Sequence, residues 1–191
     1  FALIRKLALL MLPVLFIFGC DKEDDDNDNQ PQPQASYVRV AHLSPDAPAV
    51  DVWVDGSLTL EDVTYEGVSA FLELTEGSHE ITVVAANTTT PAVIQETVTL
   101  AANASYTVAA TGLLSATPAI DAWILTDDRS TAMGQAKVRF AHASPDAPNV
   151  DIWAVGGTSP LFANVPFRSA GNYLTVAPGN IALEVRVAGT E

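Results

Sequence analysis

His42, Ser44, Asp46 and Asp51 stand close together in the chain, and His142, Ser144, Asp146 and Asp151 repeat the set a hundred positions later. Serine beside histidine and carboxylates invites a hydrolytic reading, in which the ring takes the serine proton and an acid orients the ring. Histidine with two aspartates also matches a zinc or manganese donor set. The surroundings of Ser44 argue against the first reading. It lies in a turn holding Pro45 and Pro48, with no G-x-S-x-G elbow and no glycine-rich oxyanion loop after it. A structural role has a concrete form here. The prolines set two φ angles, Ser44 and Asp46 bond backbone N–H groups inside the turn, and His42, in phase with Val38 and Val40, satisfies buried carbonyls. The structural reading is preferred. No catalytic residue, resident metal or cofactor is assigned, and a metal-binding or hydrolytic use of the His-x-Ser-Pro-Asp loop stands as the alternative.

A second group carries charge and aromatic surface. Arg39 and Asp51 fall on the strand faces opposite their valines. If the two strands are neighbours, the pair meets across the sheet with Trp53 stacked on the guanidinium. Arg139, Asp151 and Trp153 restate the arrangement, and Asp121-Ala122-Trp123 supplies a third Asp-x-Trp. Exposed aromatics of this kind suit sugar rings or a protein partner. Covering a sandwich edge or a domain junction is the commoner use of such a tryptophan.

The elements that must position these residues are strands. Val38 to Trp53 reads V-R-V-A-H-L-S-P-D-A-P-A-V-D-V-W, and Val138 to Trp153 reads V-R-F-A-H-A-S-P-D-A-P-N-V-D-I-W. A segment repeated at that distance marks two copies of one folding unit. Period-two alternation predicts strands at 37–42, 50–54, 58–63, 69–74, 81–85, 93–100, 106–110 and 120–125, with turns at Asp55-Gly56, Glu76-Gly77 and Ala102-Asn103. No helical period appears after residue 20. The expected fold is all-β: tandem immunoglobulin-like antiparallel β-sandwich domains over 36–126 and 137–191, joined by a linker at 127–136. In the second copy Tyr173 answers Phe71 and Gly179 answers Gly77, but nothing answers the strands around Val98 and Tyr106. The second domain is expected to be truncated.

Residues 1–19 read as a signal peptide, with Arg5 and Lys6 before an apolar run, Leu7 to Phe18, that is short for a spanning helix. Ile17-Phe18-Gly19-Cys20 resembles a bacterial lipobox, and Cys20 is the only cysteine of the chain. Cys20 is therefore the expected lipidation site, and it excludes an intrachain disulfide or a cysteine metal site. Residues 20–35, acidic and proline-bearing with little to bury, read as a disordered tether. Acids directly after a lipid cysteine resemble surface-export signals in some bacteria, and aspartate there resembles an inner-membrane retention signal in others. The expected location is the bacterial cell envelope, at the outer membrane or cell surface, with the membrane contacted through the lipid. With 9 Lys+Arg against 23 Asp+Glu, the chain would repel phosphate backbones, so nucleic acid is not an expected partner.

The V-R-x-A-H-x-S-P-D-A-P-x-V-D-V-W pattern, followed by an Asp-Gly turn and a later glycine turn at Gly77 or Gly179, resembles the bacterial envelope family catalogued as domain of unknown function 4397. The second copy departs at Ala154-Val155-Gly156-Gly157, a longer turn than Val54-Asp55-Gly56. The resemblance implies an all-β domain, often in tandem, on secreted or lipid-anchored proteins. It implies no catalytic residue. The expected role is non-catalytic: binding of a glycan or protein ligand, adhesion, or a structural spacer.

Overall fold

The structure, a computed structural model, describes residues 32–130 and 133–190. The signal peptide, Cys20 and all but the last few residues of the tether lie outside the described residues. Among the described residues there is no helix.

The first repeat forms eight strands: β1 (Ala35–Leu43), β2 (Val50–Val54), β3 (Ser57–Val63), β4 (Leu72–Thr75), β5 (Gly77–Ala85), β6 (Ala92–Leu100), β7 (Ser105–Thr111) and β8 (Asp121–Asp127). They divide into two four-stranded sheets, ordered β4-β1-β7-β8 and β3-β2-β5-β6. All pairings are antiparallel except β1 with β7, which run parallel with Val38 opposite Tyr106 and Val40 opposite Val108. This is the expected sandwich. Its four-plus-four strand order is its own, where an immunoglobulin constant domain sets four strands against three.

Alternation explains the layering. Val38, Val40, Tyr106, Val108 and Ala110 of one sheet meet Val50, Val52, Ile81, Val83, Ile94, Val98 and Leu100 of the other in one core. Burying each large aliphatic side chain contributes roughly 1.5–3 kcal/mol. Asp55 and Gly56 both adopt left-handed φ values, 50° and 76°, as a two-residue hairpin turn between right-twisted strands requires. The Asp-Gly pair is the sequence signature of that turn.

The second repeat forms β9 (Ala136–Val138), β10 (Ala141–His142), β11 (Val150–Ala154), β12 (Phe162–Val165), β13 (Ser169–Ala170), β14 (Leu174–Val176) and β15 (Leu183–Val187). Its pairings copy the first repeat: Val138 sits opposite Leu174 as Val38 sits opposite Leu72, and β11 pairs β15 as β2 pairs β5. Counterparts of β6, β7 and β8 are absent among the described residues. Val83 is 4% exposed, while its counterpart Val185 is 63% exposed. An open cavity of about 310 Å³, lined by Val138, Phe140, Ile152, Phe162 and Leu183 among others, occupies the place of the first repeat's core.

One expectation changes. Both ends of the linker assigned from sequence lie in strands: Asp127 is the last residue of β8, with its side chain buried, and Ala136 is the first residue of β9. The alternation that defines β8 continues through Asp127 because its side chain has cationic and hydroxyl partners on the outer face, a compensation that hydropathy does not reveal.

Candidate functional site

The Pro-rich connection from β1 to β2 holds the first motif. His42 is fully buried and its ring edge meets Tyr65, with centroids 6.3 Å apart. Its Nε2 lies 2.8 Å from the Pro48 carbonyl oxygen, and its Nδ1 accepts from the Ser44 backbone N–H at 3.4 Å. A ring protonated at Nε2 alone satisfies both contacts. The Ser44 hydroxyl donates to the Gly112 carbonyl at 2.8 Å. Asp46 accepts from the Leu114 N–H at 2.7 Å and from the Ser115 N–H and hydroxyl. The Leu114 bond is the chief reason its carboxyl sits below the usual range. The motif therefore ties the β1–β2 connection to the β7–β8 loop.

Asp51 works elsewhere. From β2 it accepts the backbone N–H of Asp62 and of Asn87, each at 2.8 Å, holding the ends of β3 and of the β5–β6 turn. Asp62 and Asn87 both have left-handed φ values, and Asp51 satisfies the amides these bends turn inward.

The second repeat reproduces the inner contacts. His142 Nε2 lies 3.1 Å from the Pro148 carbonyl oxygen, and its Nδ1 accepts from the Ser144 N–H at 3.3 Å. Ser144 donates to Asp146 at 3.0 Å. Asp151 accepts from the N–H of Asn164 and then of Gly189, the two bonds that lower its pKa, Asn164 first. Ser144 is exposed where Ser44 is buried, because no counterpart of the β7–β8 loop lies over it among the described residues.

These distances define what the motif can do. A triad needs the serine hydroxyl on the histidine; Ser44 instead gives its proton to Gly112, and neither His42 nitrogen faces its hydroxyl. The metal set is not brought together either: His42 turns to Pro48, Asp46 to Leu114 and Ser115, Asp51 to Asp62 and Asn87. Among the described residues no group of three or more His, Cys, Asp or Glu side chains has metal-holding geometry.

The expected pairing of Arg39 with Asp51 under Trp53 is not formed, because β1 and β2 lie in opposite sheets. Arg39 instead donates from Nε to the Thr107 hydroxyl at 2.8 Å and lies 5.1 Å from the Phe71 ring centre. Arg139 likewise leaves Asp151 and Trp153; it stacks 4.7 Å from Tyr173 and pairs with Asp127. Trp153 does carry a guanidinium, that of Arg186 at 4.6 Å. Trp53 and Trp153 are each half-buried, with a buried indole N–H that has no hydrogen-bond partner.

Sequence reasoning missed two sites. His79 binds Asp55 through Nδ1 at 2.6 Å and the Thr75 carbonyl through Nε2 at 2.8 Å. The hydrogen bond to Asp55 is the main cause that raises its pKa. The second is the set of partners around Asp127 and Arg168. His79 had a faint signal, a histidine two residues after the Glu76-Gly77 turn and in phase with the core-facing Ile81 and Val83. Asp127 and Arg168 had none, since the first lies beyond the last apolar residue of its strand and the second lies in a loop.

The family described as Domain of unknown function (DUF4397) matches residues 36–153 and again 136–191, and the chain belongs to that family. No curated protein matches the chain.

Proposed function

We propose that this member of the family is a lipid-anchored protein of the bacterial cell envelope. In this reading Cys20 carries acyl chains that hold it at the outer membrane or cell surface, and each buried CH₂ adds about 0.8 kcal/mol to that hold. The two β-sandwich repeats serve without catalysis, as a binding or adhesion module for a glycan or protein ligand or as a structural spacer. The observation that carries the non-catalytic part is the bonding of the repeated motif. The ring nitrogens of His42, the hydroxyl of Ser44 and the carboxylates of Asp46 and Asp51 all bond to backbone or side-chain groups of their own repeat's loops. Groups held this way fasten a fold and leave little for a substrate.

Two measurements test the proposal. Metal analysis of the purified protein should find no stoichiometric zinc or manganese, and such metal, lost on His42→Ala, overturns the non-catalytic reading. Mass spectrometry of the mature N-terminal peptide should show acyl chains on Cys20 that vanish in Cys20→Ser. An unmodified Cys20 in the native membrane fraction refutes the anchor. A thermal-shift screen against glycans and peptides then separates a binding module, which gains stability with its ligand, from a spacer.

A further inference from the structure

A two-layer sandwich ordinarily leaves the outer face of each antiparallel sheet to water. The first repeat does not. Thr107, Ala109 and Thr111 point outward from β7, opposite the core-facing Val108, yet Ala109 is 1% exposed and Thr111 is 0% exposed. Bonds from the second repeat land on this face at two places.

At the end of β8 stands Asp127, its side chain 2% exposed. One oxygen accepts from the Thr107 hydroxyl at 2.6 Å and lies 3.6 Å from the Arg39 guanidinium. The other accepts from Arg139, with the Tyr173 hydroxyl at 3.4 Å. Arg139 also donates to the Thr126 carbonyl at 2.8 Å. The same arginine of both repeat-start motifs thus converges on one carboxylate. At the beginning of β8 stands Arg168. Its Nε donates to the Thr111 hydroxyl at 2.9 Å, and its Nη2 donates to the carbonyls of Thr111 and Ala119 at 2.7 and 2.8 Å. Its Nη1 lies 3.8 Å from Asp121.

We infer that Arg139 and Arg168 latch the second repeat onto the outer face of the β4-β1-β7-β8 sheet, so that the two repeats act as one rigid body. The two contacts lie at opposite ends of β8. At about 3.4 Å of rise per residue its ends stand roughly 20 Å apart. One contact would leave a pivot; two at that separation block rotation about either. A buried ion pair is weak evidence for stability but a strong constraint on geometry, because breaking it strands a charge away from water.

The latch also distinguishes the repeats. Arg168 occupies the place that Glu66 holds in the first repeat. Each donates its backbone N–H to the carbonyl of the motif histidine at 2.8 Å, His142 or His42, and each has a left-handed φ. A glutamate at position 168 would set a carboxylate against the carbonyl oxygens of Thr111 and Ala119. The first repeat therefore cannot substitute for the second at this joint.

The test is a distance measurement on the full chain with Cys20→Ser and spin labels at Thr97→Cys and Ser159→Cys, both exposed sites away from the joint. The latched chain should give one narrow inter-label distance by double electron–electron resonance. Arg139→Ala/Arg168→Ala should broaden it at least about two-fold while near-ultraviolet circular dichroism stays unchanged, and Arg168→Glu alone should do the same. A narrow distribution in the double variant overturns the inference. Should that variant lose its near-ultraviolet signal, Asp127→Asn decides. It keeps the shape but removes the shared charge, and a distribution as narrow as in the parent is equally fatal.

Discussion

Replacing His42 by alanine is the most direct test of what the repeated motif does. The side chain is fully buried, so its removal opens a cavity in a wall of the core, and large-to-small changes at such sites cost roughly 2–5 kcal/mol. The Pro48 carbonyl loses its 2.8 Å partner and the Ser44 N–H loses its acceptor. Each orphaned group adds about 1–3 kcal/mol unless water reaches it. With partial relaxation the sum is about 4 kcal/mol. At a urea dependence of about 2 kcal/mol/M, the unfolding midpoint of the first repeat falls by about 2 M. Tryptophan fluorescence during a urea titration reads that midpoint. His42→Gln, which keeps an N–H donor, should recover about half the loss. Chelation with EDTA should leave the wild-type midpoint in place. The reasoning fails if His42→Ala stays within about 0.5 kcal/mol of wild type, or if EDTA alone reproduces the fall.

Three further outcomes are expected. The two ring nitrogens of His79 both face acceptors, Asp55 Oδ2 and the Thr75 carbonyl, an arrangement that favours the imidazolium. Its raised pKa makes the clasp's stabilisation complete below the unfolded value of about 6.5 and lost as pH rises through the folded value. The lowered pKa of Asp55, set first by the His79 bond, removes the same clasp when pH falls through the folded carboxyl value. An NMR titration of the His79 ring should give a midpoint above 6.5, and one at or below it removes the clasp. Val83→Ala should cost about 2 kcal/mol in denaturant unfolding, whereas Val185→Ala, at the matching position but 63% exposed, should stay within about 0.5 kcal/mol; equal losses would refute the open second core. Gly112→Ala places a Cβ 2.4 Å from the Ala119 carbonyl oxygen and 2.9 Å from Arg168, at a φ of +96°. It should lower stability by about 2 kcal/mol or more, and a neutral result would show that the β7–β8 loop is not built as described.

Much of the fold was legible because strands announce themselves locally. Val38, Val40, Val50, Val52, Ile81 and Val83 alternate with polar residues, and all six are in the core. Asp55-Gly56 was legible as a turn because few residue pairs tolerate two left-handed conformations. The motif's hydrogen-bonding character was legible too, since two prolines and short polar side chains in one connection demand it. Its partners were not. Nothing near Asp46 in the chain points to Leu114 and Ser115, which reach it only when β1 and β7 come to lie side by side.

Taken alone, the sequence determined the all-β class, the duplication, the turn positions and the inward faces of β1 and β2 (Val38, Val40 and His42; Val50, Val52 and Val54), because these follow from side-chain period and backbone sterics over a few residues. At β4 it put Phe71 inside, where Leu74 packs on the core and Phe71 instead lies under Arg39 and Arg129. Which strands become neighbours was decided by tertiary structure. The chain crosses between sheets from β1 to β2, and this separates Arg39 from Asp51 and Trp53 despite the short distance in sequence. The same crossings return β7 beside β1 and set Asp127 beneath Arg39, where the docked second repeat adds Arg139 to the same carboxylate. A charged residue's partner is fixed by where opposite charge remains once the apolar faces have closed, and that is a property of the assembled layers.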